Sequence, residues 1–218
     1  EKMDSSWNFI NKLWNASRFV FMNVDENFKS KVLHHDQLSA IDLWICERFD
    51  STLEKVTQAM EKFEFSLAGS FLYDFVWNDY CSWYIELSKA NLNSDDLKLK
   101  ENTTQTLVSV LRNILKLLHP SIPFVTEKIY ENFEEGALCI QSWPSAYDFR
   151  NEIALKDVTL LIALVSDLRS LKTEYNIKPS LALEIKMDVE SFKFSDHLEK
   201  LVKTSLNQDL AGELMIRA

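Results

Sequence analysis

Three observations predict an almost wholly α-helical fold: a shortage of glycine, long apolar stripes at helical spacing, and short connections marked by proline and capping residues. Glycine occurs three times and proline four times in 218 residues, far less glycine than in an average chain. Hairpins, tight turns and phosphate-cradling loops draw on glycine, so neither a many-stranded sheet nor a dinucleotide-binding fold is expected. Hydrophobic residues make up 46% and aromatics 12%, enough for a full core and unlike a disordered chain. The predicted class is mainly α: a helical bundle over residues 1–180 and a small α/β appendage over 181–218.

The elements follow in order. A first helix is predicted over residues 3–22, where Ile10, Leu13, Trp14, Ser17 and Phe21 share one face. His34, His35 and Asp36 belong to the connection after it. A second helix starts near Ser39, where Asp42 three residues on gives a capping box with Asp in place of the usual Glu. Its stripe is Ile41, Trp44, Ile45, Phe49, Leu53 and Val56, and it extends to Phe63. The third helix, residues 66–90, holds Phe71, Tyr73, Phe75, Trp77, Tyr80, Trp83 and Tyr84. Apolar groups on nearly every side predict that it is the most buried. Residues 91–101 are polar and acidic and read as a loop.

A fourth helix over 103–118 is stopped by His119-Pro120, and Pro123 suits the first turn of a fifth that runs to Phe133. Leu138 to Trp143 read as extended, ending at Pro144. The sixth helix, 156–175, places Leu160, Leu164, Leu168 and Leu171 on its core face, and Pro179 closes the region. The period then changes. Leu181, Leu183, Ile185 and Met187 alternate as in a half-buried strand. A helix over 194–206 and a short strand over 214–217 complete a βαβ-like appendage. No repeat or low-complexity tract is visible.

Charge and motifs narrow the function. A net charge of −9 argues against a non-specific nucleic-acid binder, which carries a basic face. It leaves room for a small site that is locally neutral: residues 1–35 hold five Lys/Arg against four Asp/Glu. Cys46, Cys81 and Cys139 lack ligand spacing. Cys46 and Cys81 are expected in the core, as are Trp14, Trp77 and Trp83. No signal-peptide pattern opens at Glu1 and no apolar run reaches about 18 residues, so a cytoplasmic protein without membrane contact is expected. The nucleophile-elbow, P-loop, zincin and dinucleotide motifs are absent. The one histidine cluster, His34-His35-Asp36, reads as a solvated loop, and Glu134-Glu135 as solvated charge at a helix end. Neither a catalytic residue, a metal site nor a cofactor is expected in this chain.

One feature points to recognition. On the first helix, with Ile10 at 0° and about 100° per residue, the apolar stripe lies near 0° and Phe19 near 180°. Phe19 shares its side with Asn8, Lys12 and Asn15. A second helix covering that face would explain this, as would a stacking platform for unpaired RNA bases, which stack on aromatic rings and hydrogen-bond to amides. Lys12 and Arg18 would then supply phosphate contacts.

The strings NFINKLWNASRFVFMN (Asn8 to Asn23), FVWNDYCSWYIELSKANL (Phe75 to Leu92), LLHPSIPFVTEKIYENF (Leu117 to Phe133), SWP (Ser142 to Pro144) and DLRSLKTEYNIKPS (Asp167 to Ser180) follow one another along the chain. Together they resemble the anticodon-binding domain of the bacterial-type valyl-tRNA synthetase family, over residues 8–180. The LxHPxxPFxxE block is shared with isoleucyl, leucyl and methionyl relatives and gives the class. NKLWNASRF and WNDYCSWYIEL resemble the valyl member. From Leu181 the match weakens, although a small α/β tail fits the family.

The resemblance implies a class I synthetase that joins valine to its tRNA using ATP with Mg. It implies that this chain is the part that grips the anticodon stem-loop of valine tRNA. The catalytic and editing domains would belong to the same polypeptide, since HIGH-like and KMSKS-like motifs are absent here. A monomer is expected. The family's base-stacking Phe falls on Phe19 and its apolar contact on Ile85. From Leu67 at 0° on the third helix, Ile85 returns to about 0°, away from Val76, Tyr80, Trp83 and Leu87. Arg169 and Lys172 match basic positions of the sixth helix, where RNA contact and helix or interdomain packing are equal readings. Two alternatives stand beside this one: a protein-interaction bundle with no RNA role, which the negative charge favours, and the same domain of an isoleucyl-type relative.

Overall fold

The computed structural model describes residues 2–25, 28–133 and 136–176, with side chains from Ser6 onward. These fall in two units, Glu1–Asn151 and Glu152–Ala218. The described residues form helices and turns, with no strand among them. The first unit contains α1 (Lys2–Met22), α2 (Ala40–Glu61), α3 (Phe65–Asp74), a π-helix (Phe75–Tyr84), α4 (Ile85–Leu92), α5 (Leu97–Leu118) and α6 (Pro123–Tyr130). Short 3₁₀ turns occupy His35–Gln37, Glu131–Phe133 and Leu138–Ile140. The second unit contains α7 (Glu152–Glu174). The strand-helix-strand appendage expected over 181–218, and the boundary at 180/181, lie outside the described residues.

α2 forms as its sequence dictates. Ser39 accepts from the Asp42 N–H through its hydroxyl, and the Asp42 carboxylate accepts from the Ser39 N–H, a complete capping box. Ile41, Trp44, Ile45, Phe49, Leu53 and Val56 are all buried, each contributing on the order of 1.5–3 kcal/mol. The same Asp42 carboxylate is fully enclosed and does more than cap. It accepts from the Ser39 hydroxyl at 2.6 Å, the Tyr84 hydroxyl at 2.6 Å and the Thr103 hydroxyl at 2.9 Å. Asn91 donates to both Ser39 Oγ and Thr103 Oγ1. One buried polar knot thus ties α2 to the π-helix, α4 and α5.

Four expectations are corrected. The stretch 91–101 is not one loop: Asn91 and Leu92 end α4, and α5 begins at Leu97, because Asp96 caps it by accepting from the Lys98 and Leu99 N–H groups. Leu138–Ile140 form a 3₁₀ turn rather than an extended run, with the Leu138 N–H held by the Glu127 carboxylate at 2.9 Å. Trp14, Trp77 and Trp83 are not core residues. Trp14 is 40% exposed and the other two are half-buried, as is Cys81, while Cys46 is buried. Trp44, Tyr80, Tyr84 and Tyr130 fill the core in their place. On α7 the buried residues are Ala154, Val158, Leu161, Val165, Leu168 and Lys172. Leu168 is buried as expected, but elsewhere the stripe is displaced by one position, so Leu160 and Leu164 are half-buried and Leu171 is exposed.

Two connecting segments are pinned by side chains. Gln105 donates to the Lys29 carbonyl and accepts from the Lys31 N–H, holding the chain after α1 against α5. Asp50 accepts from the Tyr147 and Asp148 N–H groups, both at 2.8 Å, while the Tyr147 hydroxyl meets Ser109 and Asn113. Asp148 takes the left-handed conformation at φ 58°, which Asp tolerates better than most residues.

Candidate nucleic-acid interface

α1 lies beside the continuous rod formed by α3, the π-helix and α4. Phe9 stacks on Tyr73, with ring centroids 5.3 Å apart, and Tyr73 stacks on Trp77 at 5.6 Å. Three residues beyond Phe9, the Lys12 ammonium sits 3.9 Å from the centre of the Trp77 ring and donates to Ser82 Oγ at 2.6 Å. Contacts therefore advance in the same direction along both chains. Phe19 is two turns past Lys12 and within about 20° of its face. Ile85 is three residues past Ser82. Both are half-buried and lie toward the same end of the helix pair.

The rest of the predicted set separates into three places. Asn8, Lys12, Asn15 and Phe19 share one long side of α1, on which Lys12 meets this rod while Asn8 and Asn15 are exposed. Arg18 is exposed and turns away from Ile85 into a groove of about 610 Å³ between α1 and α6, with Trp14, Phe21, Met22, Lys128 and Asn132 around it. Arg169 is exposed and Lys172 buried on α7, in the second unit.

Phe19 is less isolated than the sequence suggests. The buried face of α1 is Leu13, Ala16, Ser17 and Val20. This is rotated by about 70° from the predicted stripe, so Phe19 flanks the core instead of opposing it. Small Ala16 and Ser17 allow close helix approach, while bulky Trp14 and Phe21 are left toward the rim. The carbonyl of Phe19 accepts from Asn23 Nδ2 at 2.8 Å, which steadies the last turn of α1.

Ile85 reaches its place by a route the sequence reading missed. The π-helix spans ten residues, whereas such segments are usually single turns and often occur at functional sites. An angle counted at 100° per residue from Leu67 does not survive ten residues of wider turns. The signal was present in the sequence: Leu72, Val76, Tyr80, Tyr84 and Ser88, spaced by four, are all buried. In an α-helix a strict four-residue repeat drifts by about 40° each step, while a wider helix keeps it on one side.

Electrostatics at this face are mild. Desolvation by burial lowers the Lys12 pKa, with the Cys81 thiol acting against it. Burial pushes the Cys81 thiol up to about 12, against the pull of Lys12, which favours its neutral form. Arg48 pairs with Asp79 at 2.8 Å on the neighbouring turn, where burial still raises the Asp79 carboxyl. Among the described residues no group of His, Cys, Asp and Glu is arranged to hold a metal ion. None of the described helices is long and apolar enough to cross a membrane.

Residues 42–187 match the anticodon-binding domain of tRNA ligase. The chain is 45% identical over 187 residues to the valine–tRNA ligase of Mycoplasma mycoides subsp. mycoides, covering 85% of this chain and 21% of that protein. It is 43% identical over 187 residues to the valine–tRNA ligase of Lactiplantibacillus plantarum, covering 84% and 21%. Against the Bacillus cereus valine–tRNA ligase it is 39% identical over 190 residues, covering 86% and 22%. The chain thus spans about a fifth of the length of the relatives it matches. With a family match over two thirds of its length, this chain belongs to the anticodon-binding domains of tRNA ligases, homologous to part of the valine–tRNA ligases.

Proposed function

We propose that this chain reads the anticodon loop of valine tRNA within a class I valine–tRNA ligase. The supporting observation is the placement of Phe19 and Ile85, both half-exposed, on two adjacent helices whose contacts advance in the same direction, with the exposed amide of Asn15 one turn before Phe19 and that of Asn8 farther along the same side of α1. An unpaired base stacks on the Phe19 ring, Ile85 packs against its neighbour, and the amides meet base edges. Arg18, one residue from Phe19 and exposed, meets a phosphate. Arg169 and Lys172 serve either the RNA or packing within the larger polypeptide.

The chemistry belongs elsewhere. The whole enzyme joins valine to its tRNA with ATP and Mg, and those ligands are assigned to catalytic and editing domains of the same polypeptide. The motifs that hold a nucleotide's phosphates are not in this sequence. The enzyme is proposed to be a cytoplasmic monomer.

The test is affinity for a valine anticodon stem-loop. Phe19→Ala should weaken binding by about 1–3 kcal/mol, the worth of one base–aromatic stack. Changing the anticodon, or offering the isoleucine stem-loop, should abolish the preference. An unchanged affinity for Phe19→Ala removes Phe19 from the site. A chain that binds no stem-loop at all overturns the RNA reading in favour of a protein-interaction bundle.

A further inference from the structure

We infer that Lys12 is a positioning residue: it locks α1 to the π-helix and so sets the separation of Phe19 from Ile85, instead of contacting RNA. The inference rests on the anticodon reading above for its functional meaning, and on three contacts for its geometry. The Lys12 ammonium lies 3.9 Å from the centre of the Trp77 ring. It donates to Ser82 Oγ at 2.6 Å. Ser82 in turn donates to the Trp77 carbonyl at 2.7 Å, across the wide turn of the π-helix. A single cation therefore holds both ends of one π turn, by its ring and through its side-chain bridge.

The chemistry suits a brace better than a phosphate contact. A cation on an indole face is attracted by the ring quadrupole, more so when desolvated. Trp77 also stacks on Tyr73, which carries Phe9 in turn. Phe9, Tyr73, Trp77 and Lys12 form a run of consecutive contacts that starts and ends on α1 and passes through the rod. π geometry is intrinsically disfavoured relative to α geometry, so contacts from outside are needed to hold it. Everything after the π-helix inherits its register, and Ile85 is the first such residue.

The experiment uses Lys12→Met, Lys12→Arg and Ser82→Ala in the full chain. Two readouts are taken: the Ile85 δ1 methyl resonance, which needs no RNA, and stem-loop affinity as a function of salt. Lys12→Met should move the Ile85 methyl signal and weaken binding by about two- to 150-fold, the range of coupled neighbours. The salt slope should stay unchanged. Ser82→Ala, which leaves the charge in place, should reproduce both effects, and Lys12→Arg should restore most of the affinity. In a Phe19→Ala, Ile85→Ala background Lys12→Met should cost no further affinity.

A salt slope that drops by the increment of one phosphate contact overturns the inference and makes Lys12 an RNA ligand. An unmoved Ile85 methyl signal, or full affinity in Lys12→Met, also overturns it. If the wild-type chain binds no stem-loop, the functional reading fails by itself. The methyl signal then still decides whether Lys12 sets the helix register. Should Lys12→Met fail to fold, Ser82→Ala carries the same decision.

Discussion

Asp42 shows what one residue is asked to do in this fold. Its carboxylate caps α2 and accepts hydroxyl donors from two other elements in a fully buried setting. Asp42→Asn keeps the shape but turns an amide donor toward those donors, and leaves at least one unsatisfied. Urea unfolding at neutral pH should show a loss of about 1–3 kcal/mol. The pH dependence has a definite sign. Burial raises the folded carboxyl above the free value of 3.8, against the lowering by hydrogen bonds from Ser39, Tyr84 and Thr103. The folded state then holds the proton more tightly than the unfolded state between those two values. The contribution of this group is fully present below 3.8 and declines as pH rises through the folded value. The stability gap between wild type and Asp42→Asn should therefore widen as pH is lowered from neutral toward 4, and a gap that narrows would contradict the assignment. The capping role was visible in Ser39 and Asp42 as a sequence pair. The partners Tyr84 and Thr103 were not, because they approach from helices 42 and 61 residues away.

At the scale of the element, local chemistry decided where helices start, and packing decided which way they face. Proline at the start of α6 and the box at α2 were legible because each satisfies backbone groups within a few residues. The start of α5 was missed, although its signal was just as local: Asp96 capping Lys98 and Leu99. Its first turns carry polar residues, and four successive ones, Thr103 to Thr106, are buried through bonds to carbonyls and side chains. A stripe count based on hydrophobicity cannot see them. Asp96→Ala should cost about 1 kcal/mol of stability, with faster hydrogen exchange confined to the first turn of α5. Exchange that rises along all of α5 would show that the cap does more than start the helix. On α1 the side-chain bulk of Trp14 and Phe21 misled the wheel, since close packing chose the small residues Ala16 and Ser17. Phe19 remained legible as an aromatic off the main face, whereas Ile85 was named through the family resemblance and a wheel that takes no account of the change of pitch in its helix.

For the whole molecule, a chain of net charge −9 cannot hold RNA by neutralising phosphates in bulk. On the proposed reading, binding rests on stacking and amide contacts, with few counterions released. A plot of log affinity against log salt should have a slope of magnitude on the order of 1–2, at about 0.7 per single-strand phosphate contact. A slope above about 5 would relocate the affinity to a basic surface. Fold class, helix order and family were legible in the sequence as a whole, because glycine scarcity and the motif strings span most of it. The π-helix adds a property that only the three-dimensional arrangement gives. Ten residues at a wider pitch act as a phase shifter between α3 and α4, and so between Ile85 and the face of α1 that carries Phe19. Because one residue corresponds to about 100° of α-helical rotation, a single insertion or deletion between Phe75 and Tyr84 re-indexes Ile85 against Phe19 with no side chain of the proposed RNA site altered. Specificity in this fold is thereby open to change by chain length as well as by substitution.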